Sequence, residues 1–407
     1  MVVCHTVESS SNNRRMEQQL SHKSPRIEVV DALRGFAVMA IILIHNLEHF
    51  IFPVYPTHPP AWLKIIDKAV MSGVFSLFSG KAYAIFALLF GFTFYIQSSH
   101  QQLKGNDFGY RFLWRMLLLV GFSALNAAFF PAGDVLLLFV IVSLVLFLTR
   151  NWSDKAILLA SALLLLQPVE WFHYFAREFY PAYQLPDLGV RALYNEVADN
   201  TKTAEVWDFV LCNITLGQKA SLFWAISVGR FCQTAGLFLL GTYIGRRQLF
   251  VPTAANLRLW IKVLVVSAIA YAPLYGWKEV LMKNKAFIQH TSGTALDMWQ
   301  KLAFTLVLVS SFVILYQSPK FQRLVSSLRS YGKMSLTNYI SQSAIGSIIY
   351  FPCGMYLAPY CGYTLSLLIA LCTFFLQLWF SKWWLSRHRQ GPLEHIWHKW
   401  TWIGSGK

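Results

Sequence analysis

The stretch Asp31–Asn46, with the sequence DALRGFAVMAIILIHN, places an arginine and a histidine inside an otherwise apolar run that is long enough to cross a bilayer. Arg34 and His45 are eleven residues apart. On an α-helix that spacing is almost three turns, or roughly 16 Å, so both side chains lie on one face. Because ionisable side chains are costly inside a membrane, the run predicts a first transmembrane helix whose polar face meets protein or water.

The composition indicates that this helix is one of many. Hydrophobic residues make up 56% and charged residues 13% of the 407-residue chain, whereas soluble domains have about 25% charged residues. Apolar runs of membrane-spanning length recur along the sequence, so we predict an all-α polytopic membrane protein with about ten transmembrane helices. The runs lie near 29–52, 76–97, 112–131, 133–149, 156–175, 220–244, 260–277, 299–317, 334–352 and 363–384.

The net charge of +16 indicates orientation in a membrane rather than nucleic-acid binding. If the amino terminus is cytoplasmic and the spans alternate, 22 of the 35 basic residues fall on cytoplasmic segments and ten on the opposite face. This distribution follows the positive-inside rule and predicts that both termini are cytoplasmic. Anionic membrane lipids are the expected partners of the excess charge, and no nucleic acid is expected.

Four regions follow from these spans. Residues 1–25 are polar and lack an apolar core, so we expect a disordered cytoplasmic tail and no cleavable signal peptide. Residues 26–175 form an amino-terminal helix bundle, and 176–219 form a loop or cap on the outer face. Residues 220–407 form a carboxy-terminal membrane domain with a short cytoplasmic tail.

The first predicted span ends in a group of titratable residues. Glu48 and His49 follow His45 by three and four positions, so all three side chains share a helix face. A carboxylate beside an imidazole fixes its tautomer and raises its basicity, as a general base requires. The alternative is that His45 and His49 only form hydrogen bonds with neighbouring helices.

Three cationic residues are candidates for binding an anionic group. Arg34 either holds a phosphate or carboxylate or forms an ion pair with Asp31 at the helix end. Lys81 either lines a cavity with His45 or extends its amine to the membrane surface. Arg230 lies inside a predicted span and needs an acidic or ligand partner.

Other motifs restrict the chemistry. The chain has no glycine-rich phosphate loop, GxSxG elbow or HExxH motif, and its six cysteines lack metal-ligand spacing, so no metal site is predicted. Cys353 and Cys361 share a predicted outer loop and either pair or remain buried thiols. Asp134 begins a predicted span, where an acidic residue complements the helix dipole.

Several motifs together resemble the bacterial YeiB-like membrane proteins that carry the domain of unknown function 418. The resemblance covers nearly the whole membrane region, and the two carboxy-terminal motifs are the most specific. The motifs are Asp31-Ala-Leu-Arg34-Gly35, Ser79-Gly80-Lys81 with Leu89-Phe90-Gly91, Gly332-Lys-Met-Ser335-Leu-Thr337-Asn338-Tyr339 with Gln342-Ser343, and Gly391-Pro392-Leu-Glu394.

In its amino-terminal half that family is similar to transmembrane acyltransferases of the acyltransferase-3 and heparan-glucosaminide acetyltransferase types. Acyltransferase-3 proteins have an arginine followed by ten residues and a histidine, and Arg34 and His45 reproduce this spacing. Many relatives carry Asn at the position of His45, so the family as a whole need not depend on this histidine.

The resemblance implies a multi-pass acyltransferase of the bacterial cytoplasmic (inner) membrane, with an acyltransferase-like bundle at 26–175. Acyl-CoA would be the cytoplasmic donor, and a glycan or lipid-linked acceptor would be reached from the outer face. A homo-oligomer is compatible with this assignment. The implied roles are a general base or acyl carrier for His45, its orienter for Glu48, a reserve catalytic group for His49, and donor contacts for Arg34 and Lys81, with Arg230 as a further cofactor-binding candidate.

Two other functions remain open. A small-solute transporter or permease would use the same buried charges to line a pathway. Transporters often contain paired broken helices, and the sequence shows no such pair. A non-enzymatic membrane factor acting through partners would have polar residues that do not converge on one cavity.

Overall fold

The computed structural model describes residues 27–51, 54–56, 59–203, 205–283, 288 and 290–404, and within these ranges it contains helices and loops but no strand. The all-α class is therefore confirmed, whereas the predicted tail at 1–25 lies outside the described residues. The α-helices are α1 Glu28–Glu48, α2 Ala61–Phe78, α3 Lys81–Gln102, α4 Gly109–Phe129, α5 Leu136–Val142, α6 Leu144–Thr149, α7 Asp154–Leu165, α8 Pro168–Phe179, α9 Val190–Thr203, α10 Val206–Cys212, α11 Gln218–Ser227, α12 Arg230–Arg246, α13 Ala254–Met282, α14 Ser292–Leu315, α15 Pro319–Leu324, α16 Ser326–Lys333, α17 Ser335–Tyr350, α18 Tyr363–Leu385 and α19 Pro392–Thr401.

Helix α1 lies at the centre of the bundle. It contacts α2, α3, α14, α16, α17 and α18, and most of its residues are buried. The buried set includes Asp31, His45 and Asn46 as well as the apolar side chains. The polar residues of α1 therefore face other helices, as the opening stretch of sequence predicts.

Within the described ranges, six helical segments are long and apolar enough to cross a membrane, and a seventh is added if α7 and α8, which are bent by 48°, form one span. Predicted span 133–149 instead contains the short helices α5 and α6. The six segments are Ala61–Gln102, Gly109–Phe129, Val206–Ser227, Ala254–Leu281, Ser292–Leu315 and Tyr363–Leu385. The segment that begins at Val206 starts inside the predicted outer cap and contains a π-helical turn at Asn213–Gly217. A multi-pass membrane architecture is thus supported, while the count of ten spans remains a prediction.

Two predicted spans, 76–97 and 220–244, are interrupted by glycines in the left-handed conformation. Gly80 has φ of 74° and Gly229 has φ of 70°, values that favour glycine because it lacks a Cβ atom. Helices α3 and α12 begin directly after these breaks. The sequence did not reveal these two helix breaks, and the absence of transporter-type inverted repeats stays a prediction.

The two broken helices pack against each other in parallel. A Cβ atom on Gly91 of α3 would strike the backbone of Phe238, and one on Gly241 of α12 would strike the backbone of Leu88. The hydroxyl of Thr242 donates to the Gly91 carbonyl at 3.2 Å. These glycines let the two backbones touch, which brings the starts of both helices to the same end of the bundle.

Candidate functional site

A cavity of about 330 Å³ lies beside Arg34. We call it the Arg34 cavity. Its walls come from α1, α3, α4, α5, α16, α17 and the carboxy-terminal region that includes α19. Its polar lining includes Arg34, Thr93, Gln97, Arg115, Lys333 and Arg389, and its apolar lining includes Phe86, Phe90, Phe94, Phe112, Phe139 and Leu336.

Arg34 both pairs with Asp31 and lines this cavity. Its Nη1 lies 3.3 Å from Asp31 Oδ1, and its Nη2 donates to Thr93 Oγ1 at 2.8 Å. The guanidinium is thus fixed between α1 and α3. The helix-end ion pair and the cavity-lining position, which the sequence left as alternatives, occur together.

The cavity continues into an open basic groove. Lys333 and Arg389 line both the Arg34 cavity and a groove of about 740 Å³ that also contains Lys382 and His388. The site therefore has an apolar interior and a cationic entrance.

Glu394 connects the two carboxy-terminal sequence motifs beside this cavity. Its Oε1 accepts hydrogen bonds from the backbone nitrogens of Leu336 and Thr337 at 2.7 and 3.0 Å, and its Oε2 accepts one from Thr337 Oγ1 at 2.6 Å. These are free donors at the start of α17, so α19 caps α17. Burial raises the pKa of Glu394, and its hydrogen bonds with Thr337 and Leu336 offset part of this effect.

His45 is buried among aromatic rings. Its ring centroid lies 4.4 Å from that of Phe130 and 5.8 Å from those of His49 and Tyr339. Gln342 Nε2 lies 3.4 Å from His45 Nδ1. In this orientation of the amide, Gln342 Nε2 is the donor and His45 Nδ1 is the acceptor.

Among the described residues, no hydrogen bond or ion pair joins Glu48 to the His45 imidazole that the sequence hypothesis has it orient. The side chain is exposed at the end of α1 and acts electrostatically on His49. The described partner of the His45 ring nitrogen is Gln342. Gln342 belongs to one of the family-like sequence motifs, but only the packing of α17 against α1 shows what it contacts.

Tyr339 links His45 to the Arg34 cavity. Its ring lines the cavity on one side and contacts the His45 ring on the other. Among the described residues that line the cavity, His45 and Lys81 are absent. The predicted residues therefore do not share one open space: Arg34 lines the cavity, and His45 lies behind the Tyr339 ring.

Lys81 and Arg230 belong to a different cluster at the starts of α3 and α12. Lys81 Nζ donates to the Ser76 carbonyl at 2.9 Å and lies 5.5 Å from the Phe304 ring centroid. The Arg230 guanidinium lies 4.6 Å from the Tyr83 ring centroid, and Asp297 is among the charges that act on it. The described contacts of Arg230 are a hydrogen bond to Gln233 and the rings of Tyr83 and Trp224, so its acidic or ligand partner stays a prediction.

Asp134 is the centre of a buried polar cluster. Its carboxylate accepts hydrogen bonds from Ser123 at 2.5 Å, Asn126 at 2.8 Å and Gln218 at 3.2 Å. It also accepts one from the Leu137 backbone nitrogen at 3.2 Å, in the first turn of α5. Asp134 thus has the predicted structural role at the start of α5, and its hydrogen bonds also connect α5 to α4 and α11.

The described residues offer few ligands for metal chemistry. No group of three or more His, Cys, Asp or Glu side chains within the described ranges is placed to hold an ion. Cys353 and Cys361 are separate thiols, the first exposed and the second buried.

Within the described ranges the fold is all-helical, with six or seven candidate membrane spans and a cavity that has both cationic and apolar lining. Residues 244–404, which include both carboxy-terminal motifs, match the family described as "Protein of unknown function (DUF418)". The chain is 26% identical over 380 residues to an uncharacterised 39.9 kDa protein in the amylase 3′ region of Bacillus acidopullulyticus, a match that covers 92% of this chain and 94% of the relative. It is 24% identical over 420 residues to the uncharacterised protein YxaH of Bacillus subtilis (strain 168), covering 93% and 94%. No solved structure matches the chain significantly. These matches support the resemblance to the DUF418 family.

Proposed function

We propose that this protein is a membrane-embedded acyltransferase that uses acyl-CoA as donor. The observation that supports the proposal is the apolar Arg34 cavity, which shares Lys333 and Arg389 with an open basic groove. Acyl-CoA has the matching two-part chemistry, with an acyl chain at one end and several phosphates at the other.

The sizes of the cavity and the groove suit a donor whose acyl end binds in the cavity and whose phosphates bind in the groove. Ligand pockets commonly have volumes of about 300–1,000 Å³, and the cavity of about 330 Å³ accommodates an acyl group and thioester rather than the whole donor. The phosphates lie in the groove against Lys333, Lys382 and Arg389. Guanidinium and ammonium groups form strong charge-assisted hydrogen bonds with phosphate.

The proposed transfer uses His45 as general base. Nε2 of His45 in its unprotonated form removes the proton of an acceptor hydroxyl, whose oxygen then bonds to the acyl carbon. The carbon–sulfur bond breaks, and coenzyme A leaves as a thiolate that takes up a proton. Gln342 turns so that its carbonyl oxygen accepts from Nδ1–H, and Tyr339 must rotate because its ring separates the cavity from His45. In an alternative form of the mechanism, His45 itself carries the acyl group transiently. His49, with Glu48 beside it, is the reserve candidate for the catalytic base.

The orientation completes the proposal. Ten spans with both termini in the cytoplasm place the Arg34 cavity on the donor side and His45 toward the outer face. The split of 22 to ten basic residues supports this topology and a position in the bacterial inner membrane. A glycan or lipid-linked acceptor would approach from the outer face, and a homo-oligomer is compatible with the exposed apolar helices.

Acyl-CoA binding to the purified full chain tests the proposal. Octanoyl-CoA should bind the parent protein, and Arg389→Gln should weaken binding by about tenfold or more, because a charge-assisted contact contributes roughly 1.5–3 kcal/mol. Arg34→Ala should have a similar effect. Arg191→Ala, which removes an exposed arginine, is the matched control and should bind like the parent. His45→Ala should bind the donor and fail to transfer labelled acyl groups.

The permease alternative is favoured by one observation, the parallel pair of broken helices α3 and α12. Broken helices bind substrates and ions in several transporter folds. No binding of octanoyl-CoA to the parent protein, together with gradient-driven solute uptake into vesicles, would overturn the acyltransferase in favour of the permease. A chain that shows neither activity would instead act through partners.

A further inference from the structure

We propose that the starts of α3 and α12 form a binding site for one small oxyanion, a carboxylate or a phosphate group. The site consists of Lys81, Arg230, Lys278 and Lys301. None of these residues lines the Arg34 cavity, so the site goes beyond the proposed donor site.

The charges in this cluster do not balance. Asp297 forms ion pairs with two lysines. One carboxylate oxygen lies 2.9 Å from Lys278 Nζ, and the other lies 2.5 Å from Lys301 Nζ. Arg230 and Lys301 both lie over Gly80, and Lys81 follows Gly80 in the chain, so among the described residues four cations lie around Asp297, with Glu170 nearby at Gly229. Glu48 acts on Arg230 from the exposed end of α1 and compensates only part of this excess. Excess positive charge in a poorly solvated site favours binding of an anion.

The break at Gly80 brings the cations together. A Cβ atom on Gly80 would lie 2.8 Å from Lys301 Cδ and 3.2 Å from Arg230 Nη2, so both side chains pass over this glycine. Gly80 and Gly229 are also the points where α3 and α12 begin. The positive end of the α3 dipole therefore lies at the cluster, whereas the start of α12 at Gly229 already has the buried carboxylate of Glu170 beside it.

A buried donor without a partner points to the ligand. Gln233 Oε1 accepts a hydrogen bond from Arg230 Nη1 at 2.7 Å, which fixes the orientation of the amide. Gln233 Nε2 on the same amide has no hydrogen-bond partner among the described residues, although Gln233 is only 1% exposed. An unsatisfied buried donor of this kind is destabilising. An anion oxygen beside Arg230 would accept this hydrogen bond.

The outer side chains of the cluster are partly exposed. The side chains of Lys278, Asp297 and Lys301 are 17–20% exposed, whereas Lys81 and Arg230 are 4% and 6% exposed. An anion therefore enters past the two outer lysines and is held at the buried pair.

Titration of the purified full chain with inorganic phosphate and with acetate, in nonionic detergent at low salt, tests the site. Calorimetry should show binding to the parent protein, weaker by about tenfold in Lys301→Gln, because one charge-assisted contact is lost. Asp297→Asn should bind phosphate more tightly, because it removes the competing carboxylate. Lys219→Gln, which changes an exposed lysine on α11, is the control and should match the parent.

The source of the oxyanion is distinguished by repeating the measurement in phosphatidylcholine nanodiscs with and without phosphatidylglycerol. Competition by phosphatidylglycerol indicates a lipid headgroup, and unchanged phosphate binding indicates a free anion. Phosphate and acetate that fail to bind the parent protein would overturn the site. So would folded Lys301→Gln and Asp297→Asn proteins with parental affinity. Octanoyl-CoA binding should be unaffected by Lys301→Gln, which separates this proposal from that of the donor site.

Discussion

Gly35 of α1 and Gly332 of α16 lie back to back where the two helices cross. A Cβ atom on Gly35 would lie 3.1 Å from the Gly332 backbone nitrogen, and one on Gly332 would lie 2.6 Å from the Gly35 backbone nitrogen. Both glycines come from the sequence motifs that suggested the family. Their shared role is to bring two helix backbones into contact next to Arg34, so this part of the motif positions the cavity.

Replacing either glycine with valine should therefore force the helices apart. We expect Gly35→Val and Gly332→Val each to lower the free energy of unfolding by at least about 1–3 kcal/mol, the usual cost of overpacking. Denaturant unfolding in detergent measures the loss. Gly121→Ala on α4, where nothing lies within 4 Å of the added methyl group, is the control and should be neutral or slightly stabilising. Valine variants as stable as the control would contradict the close crossing.

Removal of the Asp134 carboxylate should destabilise the junction of α4, α5 and α11. Asp134→Ala leaves the donors of Ser123, Asn126 and Gln218 without their acceptor, and we expect a loss of about 2–4 kcal/mol. Asp134→Asn keeps one acceptor oxygen and should lose less. Thermal unfolding compares both with Asp208→Ala, an exposed control. An alanine variant with parental stability would show that the cluster is dispensable.

The docking of α19 should depend on pH through Glu394. Burial raises the pKa of this carboxyl above its unfolded value of about 4.3. The folded state therefore binds the proton more strongly, and this contribution to stability is present below the unfolded pKa and is lost as pH rises through the folded pKa. Glu394→Gln, which is uncharged and similar in shape, should flatten this dependence.

The unfolding midpoint as a function of pH measures the effect. Glu178→Gln, at an exposed position on α8, should keep the parental profile. If Glu394→Gln also keeps it, titration of Glu394 does not control the docking of α19.

The proposed topology predicts opposite locations for two loops. Reporter fusions at Gln248 should read cytoplasmic, and fusions near Asp199 should read external, because the basic residues concentrate on the side assigned to Gln248. Activity of an alkaline phosphatase and a fluorescent-protein reporter measures each location. A cytoplasmic signal near Asp199 would reverse the assignment and place His45 away from the outer face.

The sequence predicted where helices occur better than it predicted where they break. Apolar runs identify membrane-length segments near 112–131, 299–317 and 363–384, and helices occur at each of them. The breaks after Gly80 and Gly229 were missed, because a glycine within an apolar run is compatible with a continuous helix. Only backbone dihedral angles distinguish the two cases.

The sequence predicted which residues belong to the candidate site but not how they are arranged in space. Periodicity placed Arg34 and His45 on one helix face. In the structure, His45 is buried in the bundle and Arg34 lines the cavity. Periodicity could not show that Tyr339 separates them, or that Gln342 rather than Glu48 meets the imidazole. Those contacts come from α17, about three hundred positions along the chain.

The sequence by itself determined that this is an all-helical membrane protein, because local hydrophobicity and residue spacing dictate helix formation and burial in a bilayer. It also identified the ionisable residues that a membrane helix would retain only in contact with protein or water. Tertiary structure alone decided which charges meet. Asp297 and Lys301 meet Lys278 because α14 packs against α13, and they lie near Lys81 because α14 also contacts α3, relationships between distant segments that local sequence does not encode.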